Sequence, residues 1–131
     1  MLKKEVERGP GGTVLLMDSI TKVAPSDQGA IVVSASHGGA SSGEIALEVP
    51  LKLVIFNDAG IGKDAAGVAA LAMLQVRGVA GATVSHTSAR IGDALDMWEC
   101  GVLSHLNAAA LALGLKAGER LQPALRRLTR G

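Results

Sequence analysis

Four short apolar runs recur along the chain, and each is continuous rather than alternating. They cover residues 14–17, 30–33, 51–56 and 82–84, and turn-forming Gly, Pro, Asp or Ser residues lie beside them. A continuous apolar run of this length is typical of a strand that is covered on both faces. The pattern therefore predicts four buried strands.

Helical spacing of apolar residues appears between and after these runs. It covers residues 64–76 and 102–113, where Gly78 and Gly114 provide natural helix ends. Strands that alternate with helices indicate βαβ units and a parallel sheet. Shorter helices are predicted over 93–98, 122–128 and, with poorly marked ends, 44–48.

The expected fold is a single α/β domain over residues 1–131, built as a three-layer sandwich. Its sheet should be mostly parallel, with about four or five strands and helices on both faces. Residues 1–11 and 129–131 lie outside the periodic segments and are expected to be mobile. Right-handed crossovers would place the carboxyl ends of all parallel strands at one edge of this sheet.

Composition narrows the class of partner and the compartment. The 131 residues carry 13 basic and 12 acidic side chains, and aromatic residues make up 2% of the chain, so neither the charge nor the stacking surfaces of a nucleic-acid binder are present. No apolar run is long enough to span a bilayer, and the first ten residues do not resemble a secretory signal. Cys100 is the single cysteine. A cytoplasmic protein without a membrane partner is therefore expected.

Polar and titratable side chains follow the predicted strands, whereas the residues directly before the strands show no comparable grouping. Ser36 and His37 follow the second run, Asp58 follows the third, and His86 follows the fourth. In open α/β sheets the ligand crevice lies outside the carboxyl ends of the strands. Ordinary turn chemistry explains the many glycines here but not the histidines. These four residues are the predicted catalytic set of a small-molecule site.

Two kinds of catalysis fit this set. In the first, Ser34 or Ser36 is a nucleophile activated by His86, and Asp58 or Asp93 orients the imidazole. His37 is a weaker base for Ser36, because neighbours on an extended segment point apart. In the second, His86 or Asp58 removes a proton from a substrate that carries a carboxylate.

The residues expected to bind the substrate favour an anion. Lys63 follows Gly60 and Gly62 at a predicted helix start, where free amides attract negative charge. Arg90 could clamp a carboxylate, although it could equally pair with Asp93 or Asp58. The Gly38 and Gly39 amides could form an oxyanion hole. The full expected binding set is Gly38, Gly39, Asn57, Gly60, Gly62, Lys63, Ser88 and Arg90.

Neither a metal nor a cofactor is predicted. His37, His86 and Asp58 could in principle surround a metal ion, but no local ligand spacing supports such a site. The glycines of 60–67 fit neither a Walker A loop nor a dinucleotide-binding fingerprint.

These observations favour a small cytosolic enzyme that acts on a polar, anionic small molecule by hydrolytic or proton-transfer chemistry. Two alternatives remain open: a non-catalytic ligand-binding or regulatory module, and a structural subunit of a larger assembly. The Ala-rich segments 65–72 and 108–112 carry few charges, which suits close packing between copies. A homo-oligomer is therefore expected.

Overall fold

A computed structural model describes residues 2–131 of the chain, apart from the side chain of Asp64. These residues form one six-stranded mixed sheet and five α-helices. The strands are β1 (Lys3–Gly9), β2 (Gly12–Met17), β3 (Ile31–His37), β4 (Leu53–Asn57), β5 (Ala80–Val84) and β6 (Leu103–Leu106). The helices are α1 (Ala40–Ala46), α2 (Ala69–Val76), α3 (Ala94–Cys100), α4 (Ala108–Ala112) and α5 (Leu121–Thr129), with short 3₁₀ helices at Ile20–Lys22, Pro25–Asp27 and Lys63–Val68.

The order of the strands across the sheet follows their order along the chain. The four inner strands, β2 to β5, are parallel, whereas β1 pairs antiparallel with β2 and β6 pairs antiparallel with β5. The carboxyl ends of β2 to β5 therefore share one edge of the sheet. Because β6 runs in the opposite direction, its first residues lie at that same edge.

Helices cover both faces of the sheet, as expected for an α/β sandwich. On one face, Val54 and Phe56 of β4 pack with Leu74 of α2. On the other face, Leu53 and Ile55 of the same strand belong to a cluster that includes α3 and α5. Both faces of the inner strands are thus buried, which explains why their sequences are continuously apolar.

The four predicted strands correspond to the four inner strands, but the expected count of four or five is too low. The two additional strands are antiparallel and lie at the edges. Residues 3–9, which belong to the segment expected to be mobile, form β1. Met1 lies outside the described residues. The sheet is therefore mixed, and only its inner four strands are parallel.

The single helix expected over 102–113 is wrong. Residues 103–106 form β6, and a helix begins only at Ala108, where the side chain of Asn107 accepts a hydrogen bond from the Ala110 amide. The same Oδ1 atom also accepts from the Gly81 amide of β5, and Nδ2 of Asn107 donates to the carbonyl of Val79, just before β5. Pairing with β5 thus overrides the helical spacing of the apolar residues.

The remaining helices lie close to where the sequence places them. Asp93 caps α3, because its side chain accepts a hydrogen bond from the Asp96 amide. A 3₁₀ helix occupies the first part of 64–76, and α2 begins at Ala69. Across the described residues, no helix combines the length and the apolar character needed to cross a membrane.

Candidate functional site

The edge where the parallel strands end holds the predicted site residues. His37 ends β3, and Asp58 directly follows β4. His86 lies two residues beyond the end of β5. The antiparallel strand β6 adds Ser104 and His105, which the sequence analysis did not include in the site.

The carboxylate of Asp58 is the centre of a hydrogen-bond cluster. Its side chain is 5% exposed. The Oδ1 atom accepts from the Gly60 amide at 2.9 Å, from the His86 amide at 3.0 Å, and lies 3.2 Å from Nδ1 of His86. The Oδ2 atom accepts from the Ser104 hydroxyl at 2.8 Å. Three separate segments of the chain therefore meet on this one side chain.

These contacts keep Asp58 ionised despite its burial. Burial by itself raises the pKa of the Asp58 carboxyl, because a low-polarity environment disfavours the charge. The hydrogen bonds from Gly60, Ser104 and His86 favour the carboxylate and outweigh burial, so the pKa of Asp58 lies below its ordinary value. At neutral pH this side chain is consequently a buried anion that can only accept hydrogen bonds.

His86 is oriented by that anion. Because a carboxylate only accepts, the ring nitrogen facing it carries the hydrogen, and in the neutral ring this arrangement leaves Nε2 as the acceptor. The His86 side chain is 53% exposed, so the ring reaches solvent. A buried carboxylate that holds an accessible imidazole in one tautomer is the arrangement that general-base catalysis uses.

His105 approaches the same carboxylate from its other oxygen. Its Nδ1 lies 4.0 Å from Oδ2 of Asp58, and this atom is buried without a hydrogen-bond partner in the described part of the structure. The hydroxyl of the neighbouring residue, Ser104, also forms a hydrogen bond with the Thr83 hydroxyl. No signal in the sequence separates these two residues from an ordinary helix surface. Only their pairing with β5 brings them to the site.

Asn57 and Ser88, expected to bind substrate, instead hold the loops of this edge together. The Asn57 side chain is fully buried; it donates to the Ala89 carbonyl and accepts from the Ala59 amide. The Ser88 hydroxyl donates to the Ser85 carbonyl and accepts from the Val102 amide. Both side chains therefore position the loop that carries His86.

Ser36 and His37 line a separate cleft. A shallow cavity of about 520 Å³ lies at the ends of β2 and β3, next to Asp18 and Gly92. The Ser36 hydroxyl accepts from the Ile20 amide at 2.9 Å. In the described residues, neither Ser34 nor Ser36 is hydrogen-bonded to His86. The structure thus does not join the predicted nucleophile to the predicted base.

The loop after β4 lies between the two groups of residues. A β-carbon added at Gly60 would lie 3.6 Å from Cε1 of His86, whereas one added at Gly38 would clash with the carbonyl of Gly67. The loop therefore lies close to His86 at one end and to Gly38, just after β3, at the other. In the described part of the chain, the cavities next to this edge are lined by His37 rather than by Asp58 or His86.

Several glycine amides expected to bind an anion are already engaged. The Gly60 amide donates to Asp58, and the Gly62 amide donates to the Gly60 carbonyl. The Gly38 amide donates to the Asn57 carbonyl, while Gly39 precedes the first residue of α1. In this conformation the amides of Gly38, Gly60 and Gly62 stabilise the loops and are not free for a ligand.

The two expected anion-binding cations lie at the surface. Lys63 is exposed at the start of a 3₁₀ helix. The Arg90 side chain is 82% exposed, and its Nε lies 4.0 Å from the carboxylate of Asp96. In the described residues, the Arg90 guanidinium therefore pairs with the carboxylate of neither Asp93 nor Asp58, the two partners that the sequence allowed.

Asp18, at the end of β2, is a further acidic residue at this edge. Its carboxylate accepts from the amides of Ala94 and Leu2, and these bonds hold the pKa of Asp18 below its ordinary value. This side chain fastens α3 and the start of β1 to the sheet.

The described residues contain no group of three or more His, Cys, Asp or Glu side chains that could hold a metal ion. Comparison of the chain with family models, with curated proteins and with solved structures finds no match. The geometry of the site is therefore the basis for assigning a function.

Proposed function

We propose that this protein is an enzyme that moves protons on a small, polar, anionic substrate, with His86 as the general base and Asp58 as the residue that orients it. The observation that carries the proposal is the contact between the buried Asp58 carboxylate and Nδ1 of the half-exposed His86. This contact leaves Nε2 of His86 free to accept a proton from a molecule arriving from solvent.

Proton transfer is favoured over hydrolysis through a serine nucleophile. A serine nucleophile needs its base within hydrogen-bond distance. Ser36 instead accepts a hydrogen bond from the Ile20 amide in the neighbouring cleft, and Ser34 is fully buried. Within the described residues, neither serine is hydrogen-bonded to His86, whereas Asp58 does contact the His86 ring.

The anionic character of the substrate rests on two exposed cations, Lys63 and Arg90. Lys63 and Arg90 are carried by the two loops that also carry Asp58 and His86, and both are exposed. Exposed positive charge at the rim of a site draws anions towards it, an effect that salt weakens.

A non-catalytic ligand-binding module is the second candidate. The observation in its favour is the cleft of about 520 Å³ beside Ser36 and His37, which Asp58 and His86 do not line. A molecule held in that cleft alone would be bound by residues other than Asp58 and His86. Binding there without turnover would make this candidate the better one.

A comparison of wild type with His86→Asn tests the proposed function. The asparagine amide retains a donor for Asp58 but cannot accept a substrate proton, so turnover should fall by roughly 10²–10⁴-fold while binding changes little. Turnover would be followed on a panel of small keto acids, hydroxy acids and activated esters, with thermal shift reporting binding. Thr87→Ala, at an exposed position in the same loop, is the matched control.

The alternatives predict different results from this experiment. Ligands that stabilise wild type and His86→Asn equally, with no turnover by either, would favour the binding module. Full activity in His86→Asn would rule out His86 as the base.

A further inference from the structure

His105 is the second imidazole that faces the buried Asp58 carboxylate. Its Nδ1 lies 4.0 Å from Oδ2 of Asp58 and is buried, while 41% of the side chain is exposed. One ring nitrogen therefore faces inward to the anion, and the outer part of the ring reaches the surface. His86 faces Oδ1 in the same way, but at the shorter distance of 3.2 Å.

The contact of His105 is incomplete in this conformation. A distance of 4.0 Å is longer than the roughly 2.7–3.2 Å of a hydrogen bond, so the inner nitrogen has no partner in the described structure. A buried polar atom without a partner is unusual and requires a physical explanation. A small approach of the ring to Oδ2 would complete the contact, because an N–H at this position donates and a carboxylate accepts.

In the described residues, Asp58 is the only acidic side chain within 4.0 Å of either imidazole. The other polar contacts of this carboxylate come from the neutral Ser104 hydroxyl and from the amides of Gly60 and His86. A single negative charge therefore serves two imidazoles, and it stabilises one imidazolium better than two.

We propose that His105 is the general acid that complements His86, and that the two rings share Asp58. The inference rests on the proposed function and specifies its chemistry. One neutral and one protonated imidazole beside the same carboxylate can remove a proton at one atom of a substrate and deliver a proton at another.

The substrate class follows from what an imidazole can deprotonate. A carbonyl is one group that makes a neighbouring C–H bond acidic enough, and we assign an α-keto acid, because its carboxylate also suits the exposed cations Lys63 and Arg90. The proton of the C–H bond passes to Nε2 of His86, and the electron pair of that bond forms a C=C bond. The carbonyl π pair moves to oxygen, which takes the proton of His105. The product is the enol, and the substrate has lost one proton and gained one.

The charges on the protein also balance. His86 begins neutral and ends as the imidazolium, whereas His105 begins as the imidazolium and ends neutral. Proton exchange with solvent, or the reverse reaction, restores the starting state. Asp58 remains a carboxylate throughout.

Deuterium exchange into α-keto acids tests the acid role. Pyruvate, 2-oxobutyrate and oxaloacetate would be incubated in D₂O with the full-length chain, and exchange at C3 would be followed by NMR. Wild type should accelerate exchange, and both His86→Asn and His105→Asn should lose roughly 10²-fold or more of that acceleration in kcat. Thr87→Ala should retain it.

The possible failures are distinguishable. Loss of exchange in His86→Asn with full activity in His105→Asn overturns this inference and leaves the proposed function standing. If wild type exchanges no faster than buffer, the proposed function and the acid role are both overturned for this substrate class.

Ring-nitrogen NMR provides a measurement that needs no substrate. At one fixed pH, the Nδ1–H signal of His105 should be protected from solvent exchange because this nitrogen faces the Asp58 carboxylate. Ser104→Ala removes the competing donor on Oδ2 and should strengthen this protection. Asp58→Asn should abolish it, with His37 in the same spectrum as the internal reference.

The result that contradicts a shared carboxylate is equally clear. If wild type, Ser104→Ala and Asp58→Asn give the same His105 signal, Asp58 is not a carboxylate that the two histidines share. Because Ser104→Ala removes only a hydroxyl, it decides the question even if Asp58→Asn fails to fold.

Discussion

Asp58 connects the segments that make up the candidate site, because its carboxylate accepts hydrogen bonds from Gly60, His86 and Ser104. The pattern of residues after each strand places Asp58 and His86 at one edge of the sheet. It does not decide whether Asp58 or Asp93 orients the imidazole. The structure separates the two, since Asp93 caps α3.

Replacement of Asp58 by asparagine should remove part of the acid sensitivity of folding. The pKa of this carboxyl is lowered in the folded state. Its contribution to stability is therefore present above the unfolded pKa of about 3.9 and is lost as the pH falls through the folded pKa. Asp58→Asn should lower the free energy of unfolding by about 1–3 kcal/mol at pH 7 and by less near pH 3, where part of the linked stability is already lost.

Urea denaturation at the two pH values measures this difference. Glu48→Gln, at an exposed position in the turn after α1, is the control and should change stability equally at both pH values. An Asp58→Asn variant that is destabilised as much at pH 3 as at pH 7 would show that the lost contacts, rather than the ionised carboxylate, account for the effect.

The edge strands β1 and β6 are the elements that sequence periodicity did not reveal. An edge strand pairs on one side only, and β1 contains Lys3, Lys4, Glu5, Glu7 and Arg8, so it lacks the continuous apolar signal of the inner strands. β6 has only four residues and leads directly into α4. The helical spacing of apolar residues in α4 therefore appears to continue back into β6. Pairing with a neighbouring strand decides both cases, and that contact is distant in sequence.

Removal of residues 1–9 tests the role of β1 as a structural strand. The truncation deletes the pairing with β2, the ion pair of Lys3 with the buried Asp27, and the packing of Leu2 and Val6 on the core. We expect a loss of about 2 kcal/mol or more and a Tm lower by about 5–10 °C.

Differential scanning calorimetry of the truncated chain checks this expectation. Lys4→Ser, at an exposed position of β1, should change stability by no more than about 0.5 kcal/mol. An unchanged Tm after truncation would mean that these residues are mobile in solution, as their sequence alone suggested.

At the scale of the whole molecule, two apolar clusters on opposite faces of one sheet determine the architecture. The Ala-rich segments that favour an oligomer are partly covered by this architecture, since Ala70 and Ala110 are buried. Val76 at the end of α2 is 84% exposed and Leu111 of α4 is 53% exposed. Gln75 joins these two helices through the Ala109 amide. The surface around α2 and α4 is therefore our predicted contact between copies.

Sedimentation velocity across a wide concentration range tests that contact. We expect wild type to associate, and we expect a double substitution, Val76→Lys with Leu111→Lys, to weaken association at least tenfold, because burying two unpaired charges is costly. Lys116→Ala, at an exposed position after α4, serves as the control. A monomer at the highest concentration would contradict the homo-oligomer prediction.

The sequence by itself determined the α/β class, the four inner strands and the edge at which His86 and Asp58 lie. These features follow from local periodicity and from the rule that parallel strands end together. Tertiary structure alone decided the two antiparallel edges, the separation of Ser36 and His37 from His86, and the arrival of His105 at Asp58. Each of these depends on hydrogen bonds between segments far apart in the chain, and such bonds leave no period in the sequence.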